Sequence, residues 1–212
     1  MMKPMAKAII AAGLMTASVA ATAGVSANIG AMTDYWFRGL DQSGSAGGAS
    51  MMGGLDYEHE SGVYVGTWLA TLPGDLEYDL YAGYNGEVEG LGYSVGLTGY
   101  YYDEAEFDYE EINLGLSYGP VSVGYNIGVN DDGAGNEVDY TFASITGEYE
   151  GAYATYGFYG EDVDGDYIEV GYGTTYEGMD FGVAAIFGND EGSGWVTEGN
   201  TVMLTISKGF DF

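Results

Sequence analysis

The sequence contains no cysteine, 3 prolines, 1 histidine and 4 Lys+Arg. Without cysteine there is no disulfide framework, no thiol nucleophile and no thiolate metal site. With 33 Asp+Glu and a formal charge of -29, binding of nucleic acid through a basic surface is excluded. Two of the four cations, Lys3 and Lys7, stand just before an uncharged apolar run from Ala8 to Ala20. A basic start, an apolar stretch and then small residues read as a cleaved secretory leader. We end it after Ala27, in the small-x-small run Val25-Ser26-Ala27, so that residues 1–27 are signal peptide and 28–212 the mature domain. A cut after Ala23 is the alternative. Beyond the leader no apolar run is long enough for a membrane helix.

What remains is rich in glycine and tyrosine. All 21 tyrosines and all 33 acids lie beyond residue 27, where Arg38 and Lys208 are the only basic residues. Acidic disordered chains are poor in aromatic and β-branched residues, so disorder does not fit this composition. Period-2 alternation between turn signals does. In 75–86, Leu76, Tyr78, Leu80, Ala82 and Tyr84 oppose Asp75, Glu77, Asp79 and Asn85. The runs 93–101, 111–118, 121–130, 166–176 and 179–187 alternate likewise, with no charged residue on the apolar face. The runs 62–71, 138–149 and 152–160 alternate less clearly. With 28–38, 49–59 and 200–212 they make twelve segments, each able to supply the roughly 9–11 residues of a tilted membrane strand.

The connections point to a membrane barrel rather than a soluble sandwich. Short ones (60–61, 87–91, 119–120, 150–151, 177–178) alternate with generally longer ones (39–48, 72–74, 103–106, 131–137, 161–165, 188–199). Outer-membrane barrels have this asymmetry, with tight periplasmic turns and longer outer loops. In lipid, a closed barrel is the β solution that satisfies every backbone group. The expected fold is therefore an all-β, transmembrane, antiparallel up-and-down barrel of about twelve strands, in contact with outer-membrane lipid. The chain ends in Phe210 and Phe212, after Val202, Leu204 and Ile206 at alternate positions. A terminal Phe on such a strand resembles the signal read by the barrel assembly machinery, which makes Phe212 the expected contact. Lys208 falls on the apolar face and must snorkel to the interface or sit beside a bulge at Gly209.

The run Met32-Thr33-Asp34-Tyr35-Trp36-Phe37-Arg38-Gly39 resembles the opening motif T-S-D-Y-x-F-R-G of the TorF family of porin-like proteins. Asp34, Tyr35, Phe37, Arg38, Gly39, Gln42 and Ser43 match it, and Met32 departs from it. Segments 53–68 and 77–87 look like later blocks of that family. The resemblance implies an outer-membrane barrel of the channel type and no particular solute.

No catalytic constellation is legible. His59 stands alone beside a turn, with no nucleophile elbow near it. Glu161-Asp162-Val163-Asp164-Gly165-Asp166 looks like a fragment of a calcium loop but lacks the spacing and the terminal glutamate of an EF-hand. It reads as an acidic turn, as does Asp131-Asp132-Gly133. No metal site, cofactor or enzyme activity is expected. The candidate site is the lumen. If strand 1 runs outward, Asp34 and Arg38 share its inner face near the rim. Glu77, Asp79, Glu111 and Glu169 then face them from the outer half of the wall. Arg38 is expected either to brace the barrel as a bidentate partner of a carboxylate or to line a charged constriction. The function expected is a passive, cation-preferring outer-membrane channel for small cationic or neutral solutes. The alternative is a non-conducting barrel with a structural or adhesive role through its acidic outer loops.

Overall fold

The computed structural model describes residues 23–44, 47–103, 108–131 and 136–212. Most of the leader, and Asp132 and Gly133, lie outside the described residues. Every regular element described is a strand. Twelve of them close into one antiparallel barrel, each paired with its neighbours in sequence. They are β1 (Gly24–Met32), β4 (Ser50–Glu58), β5 (Val63–Leu72), β6 (Asp75–Val88), β7 (Leu91–Tyr102) and β8 (Asp108–Tyr118). The ring continues through β9 (Val121–Asp131), β10 (Glu137–Tyr149), β11 (Ala152–Glu161), β12 (Asp166–Tyr176), β13 (Met179–Asn189) and β14 (Gly199–Asp211). Strand β1 closes it by pairing with both β4 and β14. Two short strands, β2 (Trp36–Phe37) and β3 (Leu40–Asp41), form a separate hairpin in the first loop.

Turn chemistry fixes the register at one end. Three connections there are Glu-Gly pairs, 89–90, 150–151 and 177–178, in which Glu and Gly both have positive φ. Positive φ at both central residues is the type I′ geometry, whose twist matches that of the flanking strands. Each strand pair therefore starts in register at Val88↔Leu91, Tyr149↔Ala152 and Tyr176↔Met179. The opposite end carries the longer connections, with one exception: 73–74 is as short as the turns across the barrel.

The pleat sorts the side chains as the alternation requires. Val95, Leu97, Ile112, Leu114, Val123, Ile127, Val170 and Leu204 all face outward and are exposed. The less clear strands resolve the same way, with Val63, Val65, Leu69, Ile145, Tyr156 and Phe158 outside. Acids on the outer face, such as Glu110, Asp131, Glu137 and Asp139, sit at strand ends on the longer-loop side. Lys208 also faces outward, over the Phe210 ring at 5.5 Å. Pairing of β14 with β1 runs unbroken through Lys208 and Gly209, so there is no bulge at that point.

The first strand differs from the expected 28–38. It begins at Gly24 and ends at Met32, where Thr33 N–H donates to Leu204 O at 2.9 Å and the chain turns into the barrel. Tyr35 and Trp36 are the reason: they are buried, and an outward-facing Tyr35 on a continued strand would lie outside the barrel instead. With Met32, Ala70, Phe142, Tyr167, Ala184, Ile186 and Met203 they form an apolar core inside the barrel.

Candidate lumen site

The lumen has two unlike halves. Toward the tight turns its lining mixes small residues (Gly92, Ser94 and Gly96 on β7, Gly115 and Ser117 on β8, Ser122 and Gly124 on β9, Gly171 and Gly173 on β12) with Tyr64, Tyr81 and Tyr153, whose rings lie over Gly96, Gly66 and Gly171. Toward the longer loops β7, β8, β10 and β12 present Tyr100, Tyr102, Tyr109, Tyr140, Phe142 and Tyr167. Into this second half folds the β2–β3 hairpin. Its tip is Arg38-Gly39, with φ of 51° and 84°, again the two-residue turn with both φ positive. Gly39 is needed twice over, because a Cβ there would also stand 2.9 Å from Cβ of Tyr167.

Arg38 is the one arginine of the sequence, and it is 6% exposed. Its Nη1 and Nη2 donate to Oε1 and Oε2 of Glu111 at 2.5 and 3.2 Å. The guanidinium lies between the rings of Phe37 and Phe142, 4.7 and 4.6 Å from their centroids. With its amide oxygen turned to the cation, Asn126 accepts from Nη2 at 2.7 Å. Glu111 is held in turn by Tyr140 Oη at 2.8 Å, Asn113 Nδ2 at 2.8 Å and Tyr100 Oη at 3.1 Å. Arg38 is thus paired bidentately with a carboxylate, and it stands in the hairpin rather than on strand 1. It reaches Glu111 from a loop, because the chain leaves the wall six residues earlier.

The other expected residues spread around the same level. Glu77 is 1% exposed and accepts from Tyr35 Oη at 2.9 Å, a second tie between hairpin and wall. Burial, then the facing Glu77 carboxylate, pushes the Tyr35 hydroxyl well above its usual range, so it stays a donor. Asp79 is buried on the same face of β6 and its Oδ1 has no partner. Glu169 is buried apart from these and accepts from Tyr153 Oη at 2.5 Å. Asp34 is not on a strand; it accepts from Trp36 Nε1 at 3.0 Å and Thr201 Oγ1 at 3.3 Å. So Arg38 and Glu111 meet, while Glu77 reaches the hairpin through Tyr35. Asp34 and Glu169 serve separate local contacts.

Sequence reasoning missed the hairpin, its aromatic socket and a second loop above it. Loop 190–198 caps the hairpin: Thr197 N–H donates to Gly39 O and Asp41 N–H to Thr197 Oγ1, both at 2.9 Å. Trp195 of that loop packs on Tyr140 at 4.8 Å between ring centroids. Burial and the Asp34 carboxylate push the Asp41 carboxyl up, against the N–H groups of Ser43 and Gly44. The one available signal was the Trp-Phe-Arg-Gly-Leu-Asp run itself, a turn pair between apolar residues in an otherwise strand-like segment. The acidic turn 161–166 is tied up locally, with Ser193 Oγ donating to Asp164 O at 2.6 Å and Asn189 Nδ2 to Asp166 at 2.9 Å. His59 sits on an exposed turn at the other end, 2.9 Å from Ser61 Oγ.

A model of the family described as "Bacterial protein of unknown function (Gcw_chp)" matches residues 16–203. No curated protein matches the chain in sequence. Among solved structures, a chain from work on the mechanism of in-meso crystallization of membrane proteins superposes with a TM-score of 0.61 at 12% identity. It covers 89% of this chain and 84% of that one. KdgM porin superposes with a TM-score of 0.56 at 8% identity, over 88% of this chain and 99% of KdgM. A second KdgM structure, in complex with disordered oligogalacturonate, gives 0.53 at 6% identity, with 89% and 99% covered. At these identities the likeness is one of fold: a closed antiparallel barrel.

Proposed function

We propose that this chain, which belongs to the Gcw_chp family of bacterial proteins of unknown function, is an outer-membrane porin-like channel that prefers small cations. The observation that carries the reading is the barrel's polarity. Its wall is apolar outside between charged ends, while inside, on the tight-turn half, Gly and Ser alternate with tyrosines and acids such as Tyr64, Tyr81 and Asp56. That is how a strand barrel meets lipid on one face and water on the other. The likeness to KdgM porin supports the channel class. The motif at 33–43 supports the finer reading, a TorF-type porin.

The solute class differs from that of KdgM, whose complex holds an oligomer of acidic sugars. Among the described residues this lumen has one cation, already paired, and carries Glu77, Asp79, Glu111 and Glu169. Such a field concentrates cations and excludes anions. The test is planar-bilayer recording of the refolded protein across a salt gradient. The expected result is a reversal potential of cation sign that shrinks as salt rises, because screening shortens from about 10 Å at 0.1 M to about 3 Å at 1 M. A potential of anion sign would overturn the preference.

The inward hairpin favours a second reading, a barrel that does not conduct and acts through its outer loops. Silence of folded protein in the same recordings would select it.

Two further outcomes follow from export and orientation. In the ring Gly24 and Val25 pair with β4, and Ser26 and Ala27 with both β4 and β14. Cleavage after Ala23 keeps these pairs, whereas cleavage after Ala27 removes them. Intact mass of the outer-membrane protein should therefore start at Gly24; a start at Asn28 would show that the ring closes without that turn of pairing. Orientation with the longer loops outside is read by a membrane-impermeant thiol reagent on intact cells. Glu191→Cys should react at once and Ser61→Cys only after the outer membrane is breached, against a native chain without cysteine. The reverse order would invert the barrel.

A further inference from the structure

We propose that the barrel wall carries a binding site for a guanidinium-bearing solute, and that Arg38 fills it as a tethered occupant. This rests on the channel reading and names its solute class. The wall alone supplies the recognition. Glu111 on β8 offers two carboxylate oxygens to a planar fork, and Tyr100, Tyr140 and Asn113 hold that carboxylate in place. Phe142 on β10 offers a ring face 4.6 Å from the cation, and Asn126 on β9 offers an amide oxygen at 2.7 Å. These residues come from separate strands of the ring. None of them depends on the hairpin for its place in the wall.

The set distinguishes cations. A carboxylate taken bidentately matches a guanidinium, with its parallel N–H donors, better than it matches a compact ammonium. A flat ring over the cation adds attraction for the same delocalised charge. Arg38 arrives from outside this set, on a two-residue turn between wall-free strands, and contributes only its own side chain and Phe37. A plain brace needs one partner for the arginine. Here carboxylate, amide and ring all converge on it, and withdrawal of the hairpin would expose them to the lumen. A solute with the same group then competes with Arg38, so that binding and loosening of the plug are one event.

The experiment uses the full mature chain refolded in detergent, with methylguanidinium as probe and sodium and methylammonium at equal ionic strength as controls. In Arg38→Ala, methylguanidinium at tenfold its dissociation constant should raise the unfolding temperature by about 4 °C, saturably, with no such rise for methylammonium. The rise should vanish in Arg38→Ala/Glu111→Gln and shrink in Arg38→Ala/Phe142→Leu. If Arg38→Ala does not fold, Arg38→Gln, shorter and uncharged but still carrying an amide N–H donor, is measured in its place. Folded Arg38→Ala that responds equally to all three cations, or a response that survives Glu111→Gln, would overturn the site. The readout is stability, not current. A silent barrel that still binds methylguanidinium loses the channel and keeps the site, and a conducting barrel that ignores it does the reverse.

Discussion

Glu111→Ala should cost about 3–5 kcal/mol of stability, the usual penalty for leaving one member of a buried ion pair alone. Glu111 is 3% exposed and its partner 6%. Without the carboxylate, the Arg38 guanidinium keeps two rings and one amide oxygen, none of which neutralises it. The hairpin has a second tie, Tyr35 to Glu77, and a cap from loop 190–198, so it should loosen rather than leave. Conductance should therefore rise and flicker, as the plug samples positions away from the wall. Arg38→Ala should cost less, because Tyr100, Tyr140 and Asn113 still donate to the remaining carboxylate. Removing both members should cost less than the two single losses added together, since no charge is then stranded. Reversible urea titration of the refolded protein measures all three. A loss below about 1 kcal/mol for Glu111→Ala would mean that the pair does not hold the plug.

Leu97→Arg should destabilise the barrel by about 2–4 kcal/mol, the cost of a cation at the bilayer midplane on an outer-membrane strand. Leu97 is 62% exposed, near the middle of β7, with Val95 exposed beside it on the same face. Ser94→Arg, three residues away on the opposite face, is the control. It enters the lumen face beside Gly92, Gly96, Gly115 and Ser117, away from the hydrocarbon that meets Leu97. Its stability loss should be small, and its effect should fall on selectivity, weakening the preference for cations. Folding titrations into lipid vesicles separate the two variants. Equal losses would mean that the outer face of β7 does not meet hydrocarbon.

How much of this was legible in the chain varies by element. Strands β6, β7, β8, β9, β12 and β13 were readable because their two faces meet different solvents, and a period of two then writes itself into the residues. The Glu-Gly turns were readable as turns, though not as type I′, because glutamate at positive φ is uncommon and only the pairing demands it. The weaker strands, β5, β10 and β11, carry Thr, Ala and Gly on the outer face and Tyr or Trp within, which blurs the contrast. Alternation also overshot at the first strand. Residues 33–38 keep a strand-like pattern, but of them only Trp36 and Phe37 form strand, and they do so in the inward hairpin rather than in the wall.

Composition and alternation were thus enough to determine the class of fold, the ring of twelve and the inward face of the acids on its clear strands, Glu77, Asp79, Glu111 and Glu169, though not the place of Asp34. They operate residue by residue against lipid, water and the pleat, so no distant contact is needed to state them. Only the tertiary structure decided what the acids do. Arg38 and Glu111 are 73 positions apart, and nothing local makes one seek the other. What brings them together is closure of the ring around a lumen wide enough to admit a hairpin and too narrow to leave it unpartnered. A buried cation must then be met by a carboxylate, and Glu111 is where the wall provides one.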